Sequence, residues 1–201
     1  KIVGDFIKEK KVTVNQGRYI LSYSLVTGPA FIIFTIGNFI GSQKAAAVIA
    51  IAHYVGALIN GFFYRNHEEK KEKRKGGGRP PKGDYLENFT DAIVSGFKAM
   101  AMILAYLMVF TIGINILEHL GVFSVINNQG VAASFKGIFE MTIGINLVGM
   151  CDMGIRLKSV IAAFLVSFGG LSVAGQSMSM ARGSGIGLAD ILKIKLTHGM
   201  I

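Results

Sequence analysis

The chain has 201 residues, of which 51% are hydrophobic and only 16% are charged, and its formal net charge at pH 7 is +9. The charged share lies well below the roughly 25% that is typical of soluble domains, so the composition argues against a soluble globular protein. Glycine is abundant, with 26 residues, which is typical of closely packed and broken helices in membranes. The single Cys151 excludes an intramolecular disulfide and is expected to be a small buried residue rather than a catalytic one.

The charge pattern divides the chain into four regions. Residues 1–18 form an amphipathic, charged segment without a signal-peptide pattern, and residues 19–64 carry two predicted transmembrane helices. Residues 65–84 form a basic linker, and residues 85–201 form a membrane region with one full helix and two broken or re-entrant elements. Because Lys and Arg are concentrated in cytoplasmic segments, the N-terminal segment and the linker are both placed on the cytoplasmic side of a bacterial cell membrane.

The first two transmembrane helices correspond to the uncharged runs 19–43 and 45–64. Each run is long enough to cross the hydrocarbon, which takes about 20 apolar residues. Gly28-Pro29 interrupts the first run near its middle. The interruption is either a break that frees backbone carbonyls or a simple kink.

Polar residues on one face of the second helix mark a candidate site. His53, Gly56 and Asn60 recur at i, i+3 and i+7, so they share a face, which Ala46 and Ala50 continue. Polar residues inside a membrane usually face a bundle interior or a cavity. Since histidine titrates near neutrality, His53 could bind an anionic solute or carry a proton. The alternative is that it hydrogen-bonds a neighbouring helix.

The basic linker raises the question of nucleic-acid binding. Residues 65–82 hold eight Lys or Arg against three Glu, but interleaved aromatic residues, on which bases stack, are missing. The cations are instead expected to set the topology and to contact anionic lipid headgroups. The lipid bilayer is therefore an expected partner, and nucleic acid is not.

In the C-terminal region, residues 99–117 form a full transmembrane helix, and Glu118 follows at its solvated end. Residues 137–151 are too short to span comfortably, yet they carry Glu140 as the one charge of an apolar stretch, with Thr142 beside it. A buried carboxylate must be paired, protonated or bound to a cation. Glu140 is therefore either a contact for a coupling ion or substrate, or a structural hydrogen-bonding group.

Residues 159–181 form the most unusual membrane segment of the chain. Its 23 residues carry no charge, but Gly169 and Gly170 break it, and Ser172 and Gln176 add polar groups beyond the break. Irregular backbone survives in a membrane only when it is buried in protein or lines a cavity. We expect a re-entrant hairpin whose second half-helix starts just after the break and presents its N-terminus to an anion. The alternative is a packing interface of small residues.

Five stretches of the chain, in this order, resemble the sporulation integral membrane proteins that carry nucleoside-recognition (Gate) domains. They are GPAFIIFTIGNFIGS, AIAHYVGALINGF, GIFEMTIGI, FGGLSVAGQSMSM and the closing LTHG. The resemblance covers nearly the whole chain and corresponds to the C-terminal half of a longer protein. It implies paired re-entrant elements, as in nucleoside transporters, and movement of dipicolinic acid during spore formation. A second copy or an N-terminal half stays open as a partner.

The sequence therefore predicts an all-α membrane protein with multi-pass transmembrane helices and re-entrant, Gly-broken half-helices. The leading hypothesis is a transporter of a small anionic or heteroaromatic solute, with dipicolinic acid as the candidate that the resemblance implies, working by alternating access. The alternative is a non-transporting assembly or scaffold protein in spore formation. Because the chain has no HExxH motif and no evident catalytic constellation, we expect no enzymatic activity, catalytic residue, metal ion or cofactor. The expected substrate-binding residues are Gly169, Gly170, Ser172, Gln176, Glu140, Thr142, His53 and Asn60, and the expected helix-breaking residues are Gly28 and Pro29.

Overall fold

The computed structural model describes residues 1–65 and 85–201, so the predicted basic linker lies almost wholly outside the described residues. All regular structure in the described residues is helical, and three of the described segments are long and apolar enough to cross a membrane. The prediction of an all-α membrane protein is therefore confirmed. In chain order the helices are α1 Ile2–Lys8, α2 Val14–Ser24, α3 Phe31–Ile40, α4 Gln43–Phe63, α5 Tyr85–His119, α6 Gln129–Phe139, α7 Met141–Met150, α8 Ile155–Phe168, α9 Gly170–Met180 and α10 Leu188–Met200.

The first predicted transmembrane segment, 19–43, is interrupted near its middle, and of the two alternatives the structure has the break. α2 ends at Ser24, and residues 25–28 are not helical. Proline has no backbone N–H and disfavours helical geometry in the residue before it, so Gly28-Pro29 produces a break rather than a kink. The first part of α3 is π-helical, a geometry that is common at functional sites.

α4 is a continuous spanning helix that packs along both halves of this broken helix. Ser42 caps its start, because the serine hydroxyl accepts a hydrogen bond from the Ala45 N–H at 3.2 Å. The predicted polar and small-residue face of this helix is confirmed as a buried face. Its members are Ala46, Ala50, His53, Gly56 and Asn60.

α6 and α7 pack side by side as a short helical hairpin. Glu140 alone separates them, with an extended backbone at φ −143° and ψ 113°. Gly137 and Gly144 bring the two helices so close that a side chain at Gly144 would collide with Gly137. The element predicted over 137–151 is therefore part of a two-helix hairpin, because its break falls at Glu140.

The re-entrant hairpin expected over 159–181 does not form, since α8 and α9 follow each other end to end. Gly169 ends α8 in the left-handed conformation at φ +80°, and Gly170 begins α9 at φ +75°. α8 packs against α4, α7 and α10, whereas α9 packs against α5, α6 and α10. The two halves share α10 and α6 as neighbours but, of the two, α4 and α7 pack mainly on α8 and α5 packs mainly on α9, so the segment is a discontinuous spanning helix.

α5 exposes most of its apolar surface. It is 35 residues long, and only 6% of its most apolar stretch of 18 residues is buried. Glu118 is exposed at the end of α5, as predicted, but α6 brings Lys136 to it as a partner that the sequence did not predict. The Lys136 ammonium donates to the Glu118 carboxylate at 2.7 Å and lies 5.1 Å from the centre of the Phe123 ring.

An ion pair joins α2 to the start of α10. The Arg18 guanidinium contacts both carboxylate oxygens of Asp190, at 3.1 Å and 3.2 Å. The Gly187 N–H also donates to Asp190 at 3.0 Å. Burial acts to raise the pKa of the Asp190 carboxyl, but the contacts with Gly187 and Arg18 outweigh it and hold the pKa below its ordinary value of 3.8.

We expect Asp190→Asn to remove this stabilisation together with its pH dependence. Because the folded-state pKa lies below the unfolded-state value, the carboxylate stabilises the fold above about pH 4, and this contribution is lost as the pH falls through the folded-state pKa. Thermal unfolding at about pH 7 and about pH 3 should show a larger loss for the wild type than for Asp190→Asn. The exposed Asp152→Asn is the control. An equal loss in wild type and Asp190→Asn would contradict the assignment.

Candidate functional site

The helix breaks that follow α2, α6 and α8 meet at the junction between α8 and α9. A Cβ added to Gly170 would lie 3.1 Å from the Gly137 carbonyl oxygen, and 3.2 Å from the Phe139 carbonyl oxygen and the Met141 nitrogen. These neighbours are backbone atoms of the α6–α7 junction. The α6–α7 hairpin therefore presses its break directly against the break between α8 and α9.

The break after α2 is held to the same region by side-chain hydrogen bonds. The Thr27 hydroxyl donates to the Val166 carbonyl of α8 at 3.3 Å. The Tyr54 hydroxyl of α4 donates to the Thr27 carbonyl at 2.7 Å. Backbone groups that leave a helix inside a membrane need such partners, because no water reaches them there.

His53 links the break after α2 to α8. Its Nε2 accepts the Thr27 N–H at 3.0 Å, and its Nδ1 lies 2.8 Å from the Ser167 hydroxyl oxygen. Since a backbone N–H only donates, Nε2 carries no proton, and Nδ1–H donates to the serine. His198 donates through Nε2 to the His53 carbonyl at 2.8 Å. These hydrogen bonds are the ones expected if His53 joins neighbouring segments of the protein. A contact between His53 and a solute stays a prediction.

Asn60 ties α4 to α2 and α10 further along the same face. Its Nδ2 donates to the Ser22 carbonyl at 2.9 Å and to the Ile194 carbonyl at 3.1 Å. Its Oδ1 is buried and has no hydrogen-bond partner among the described residues. The side chain therefore fixes the position of α10 and keeps one acceptor unused.

Lys195 is a residue of this site that the sequence analysis missed. It is 1% exposed, and its Nζ donates to the Leu25 carbonyl in the break after α2 at 3.2 Å. Its Cε lies 3.0 Å from the place that a Cβ on Gly169 would occupy. The sequence does hold a signal, because Lys195 falls between Ile194 and His198 on the buried face of α10.

Ser172 and Gln176 lie on the buried face of α9, with exposures of 1% and 9%. The half-helix predicted after the break is confirmed as Gly170–Met180. Ser172 belongs to its first turn, and the Ser172 hydroxyl oxygen is buried without a hydrogen-bond partner among the described residues. The polar side chain therefore stands next to the N–H groups that a first helical turn leaves unpaired.

Glu140 reaches the same junction from the α6–α7 hairpin. It is 2% exposed, and its carboxylate caps α7 by accepting the Ile143 N–H at 2.8 Å. Thr142 is half-buried in the first turn of α7, whereas Gly28 and Pro29 are exposed. The structure therefore brings Glu140 to the α8–α9 junction, while Gly28 and Pro29 act by shaping a break.

The junction gathers several buried polar groups in one place. It combines the His53 imidazole, hydroxyls, the Lys195 amine, the Glu140 carboxylate and a helix N-terminus, all withdrawn from the surface. The described residues contain no group of three or more His, Cys, Asp or Glu side chains placed to hold a metal ion.

Over its whole length the chain is similar to the sporulation integral membrane protein YlbJ of Bacillus subtilis (strain 168), with 21% identity over 233 residues. The chain spans 57% of the length of that relative. No protein-family model matches the chain, and no solved structure matches it significantly, so the Gate-domain part of the resemblance stays a prediction. The resemblance to the sporulation integral membrane proteins is confirmed, and the chain is a multi-pass membrane protein similar to YlbJ from end to end.

Proposed function

We propose that the protein is a membrane transporter that moves a small anionic or heteroaromatic metabolite during spore formation, with dipicolinic acid as the leading candidate. The observation that carries the proposal is the meeting of helix breaks around buried polar groups. Transporters commonly bind their solutes at discontinuous helices, near the middle of the membrane. The name of the similar YlbJ supports a role in sporulation.

The proposed mechanism is alternating access around the α8–α9 junction. The solute binds at the N-terminus of α9, whose dipole favours negative charge. In the present conformation the site is closed, since Ser172 and His53 are each 1% exposed. Opening requires one element to move away from the junction. The α6–α7 hairpin is the candidate, because its backbone packs closely against Gly170 and so closes the junction.

Because the chain spans 57% of the similar protein, the complete pathway includes further segments in this proposal. The partner is either a second copy or an N-terminal half of the same protein. Inverted or repeated halves around a shared site are a common plan of transporters.

A non-transporting assembly or scaffold role is the second candidate. The observation that favours it is the exposed apolar surface of α5, which fits a partner helix as well as lipid. Under this alternative the protein binds a membrane partner and moves no solute. Solute uptake is the measurement that separates the two functions.

We expect Ser172→Ala and Gln176→Ala to weaken solute binding and slow transport. Losing a hydrogen bond to a charged group corresponds to about a tenfold to hundredfold loss of affinity. Ser172→Ala should fold normally, because the hydroxyl that it removes has no partner. The assay is uptake of radiolabelled dipicolinate into proteoliposomes, with a nucleoside as the comparison solute.

The matched controls are Ser124→Ala and Gln129→Ala, since both residues are exposed away from the junction. Uptake of dipicolinate by the wild type and by both controls, with reduced uptake in the two site variants, would support the proposal. A wild type that takes up neither dipicolinate nor the nucleoside, although it folds and binds a membrane partner, would favour the scaffold role.

A further inference from the structure

The α8–α9 junction holds a buried cation. Lys195 is 1% exposed and lies on α10, with its side chain running between the break after α2 and Gly169. The ion pairs seen among the described residues, such as Arg18–Asp190 and Lys136–Glu118, do not include Lys195. The chain therefore buries this ammonium group without an ion pair, since the Glu140 carboxylate, which is buried at the same junction, forms no salt bridge with it.

The ammonium is also short of hydrogen-bond acceptors. A protonated lysine has three N–H donors, and the structure gives Lys195 one acceptor, the Leu25 carbonyl at 3.2 Å. Burying a charge is costly unless it is paired and hydrogen-bonded. A methionine or leucine would pack in this place without that cost. The buried charge therefore points to a ligand that interacts with the ammonium group and offsets the cost of burying it.

A second, independent observation lies on the other side of Gly169. Ser172, in the first turn of α9, has a buried hydroxyl without a partner among the described residues. The first N–H groups of a helix have no acceptor within the helix, and its dipole favours an anion there. The Lys195 Cε lies 3.0 Å from the place of a Cβ on Gly169, which is the N-cap residue of α9. The cation and this helix N-terminus therefore share one location.

We propose that Lys195, the Ser172 hydroxyl and the first turn of α9 form an anion subsite that binds a carboxylate of the transported solute. The inference rests on the proposed transport function and deepens it, because it names the counter-charge and so the substrate class. That class is the small organic carboxylates. A heteroaromatic dicarboxylate such as dipicolinate would leave its second carboxylate and its ring for other residues of the junction.

The test compares the wild type with Lys195→Met and with the matched control Lys193→Met, which changes an exposed lysine on the same helix. The probes are dipicolinate, picolinate with its single carboxylate, and pyridine without one. We expect both carboxylates, but not pyridine, to raise the melting temperature of the wild type and of Lys193→Met. In Lys195→Met the shift should vanish, and the dissociation constant measured by calorimetry should rise by roughly 30-fold or more.

The melting temperature without a ligand distinguishes a lysine that is kept for an anion from a lysine with only a structural role. If Lys195 only tethers α10 to Leu25, Lys195→Met should melt below the wild type. If Lys195 is kept for an anion, Lys195→Met should melt at the wild-type temperature or above it, because it removes an uncompensated buried charge. Lys195→Arg keeps the charge and should keep a carboxylate-dependent shift.

Besides a Lys195→Met variant that melts below the wild type without a ligand, three results would overturn the subsite. They are an unchanged dissociation constant in Lys195→Met, a wild type that no carboxylate stabilises, and a failure of Lys195→Met to fold while Lys195→Arg ignores carboxylates. Failure of the proposed function looks different. In that case carboxylates bind the wild type and not Lys195→Met, yet proteoliposomes that contain the wild type take up no dipicolinate.

Discussion

Gly170→Ala is expected to lower the free energy of unfolding by about 3 kcal/mol or more. Gly170 has φ +75°, a conformation that costs any residue with a side chain. The added methyl group would also lie 3.1 to 3.2 Å from three backbone atoms of the α6–α7 junction. Backbone atoms cannot swing aside as a flexible side chain can, so the two broken elements would have to separate.

The measurement is thermal unfolding of the purified protein in detergent. Gly28→Ala is the matched control, because it changes a glycine at another helix break where no atom lies within 4 Å of the added Cβ. We expect the control to stay within about 0.5 kcal/mol of the wild type. Equal melting temperatures for Gly170→Ala and Gly28→Ala would show that the helix breaks do not pack against each other as described.

His53→Ala is expected to lower the free energy of unfolding by about 3 to 5 kcal/mol. The substitution removes the acceptor of the Thr27 N–H and the donor to Ser167, which leaves buried polar groups without partners. It also empties the volume of a ring that is 1% exposed. Both effects act at the same place, where the break after α2 is fastened to α4 and α8.

The control for this prediction is His119→Ala, which removes an exposed histidine at the end of α5. Thermal unfolding of the two variants and the wild type, each with and without dipicolinate, separates the two interpretations of His53. A loss of stability without ligand supports the structural role. A variant that melts like the wild type but no longer responds to dipicolinate would identify His53 as a solute contact instead.

Both predictions depend on local features that can be recognised in the sequence alone. Gly169-Gly170 predicts a break, and the structure has its break there, because two consecutive left-handed residues interrupt a helix wherever the segment packs. The spacing of His53, Gly56 and Asn60 predicts a buried face for the same kind of reason, since a helix places these residues on one side whatever its neighbours are.

Other features depend on which helices become neighbours, and the sequence left them undecided. The hairpin was expected over 159–181 but lies at α6–α7, because Gly137 and Gly144 face each other only after the chain folds back at Glu140. Glu118 is solvated as expected, but α6 also brings Lys136 to it, a partner that the sequence did not predict. In each case the local pattern fits both outcomes, and packing between elements chooses one.

The sequence by itself therefore determined the membrane class of this protein, the positions of its Gly28-Pro29 and Gly169-Gly170 breaks, and the buried face of α4, because these follow from composition and from helical geometry within one segment. Only the tertiary structure decided that the breaks meet, and that Lys195 enters their meeting point. Lys195 contacts Leu25, 170 positions earlier in the chain. A lysine in an amphipathic helix fits a solvated face as well as a buried one, so its burial depends on what packs above it.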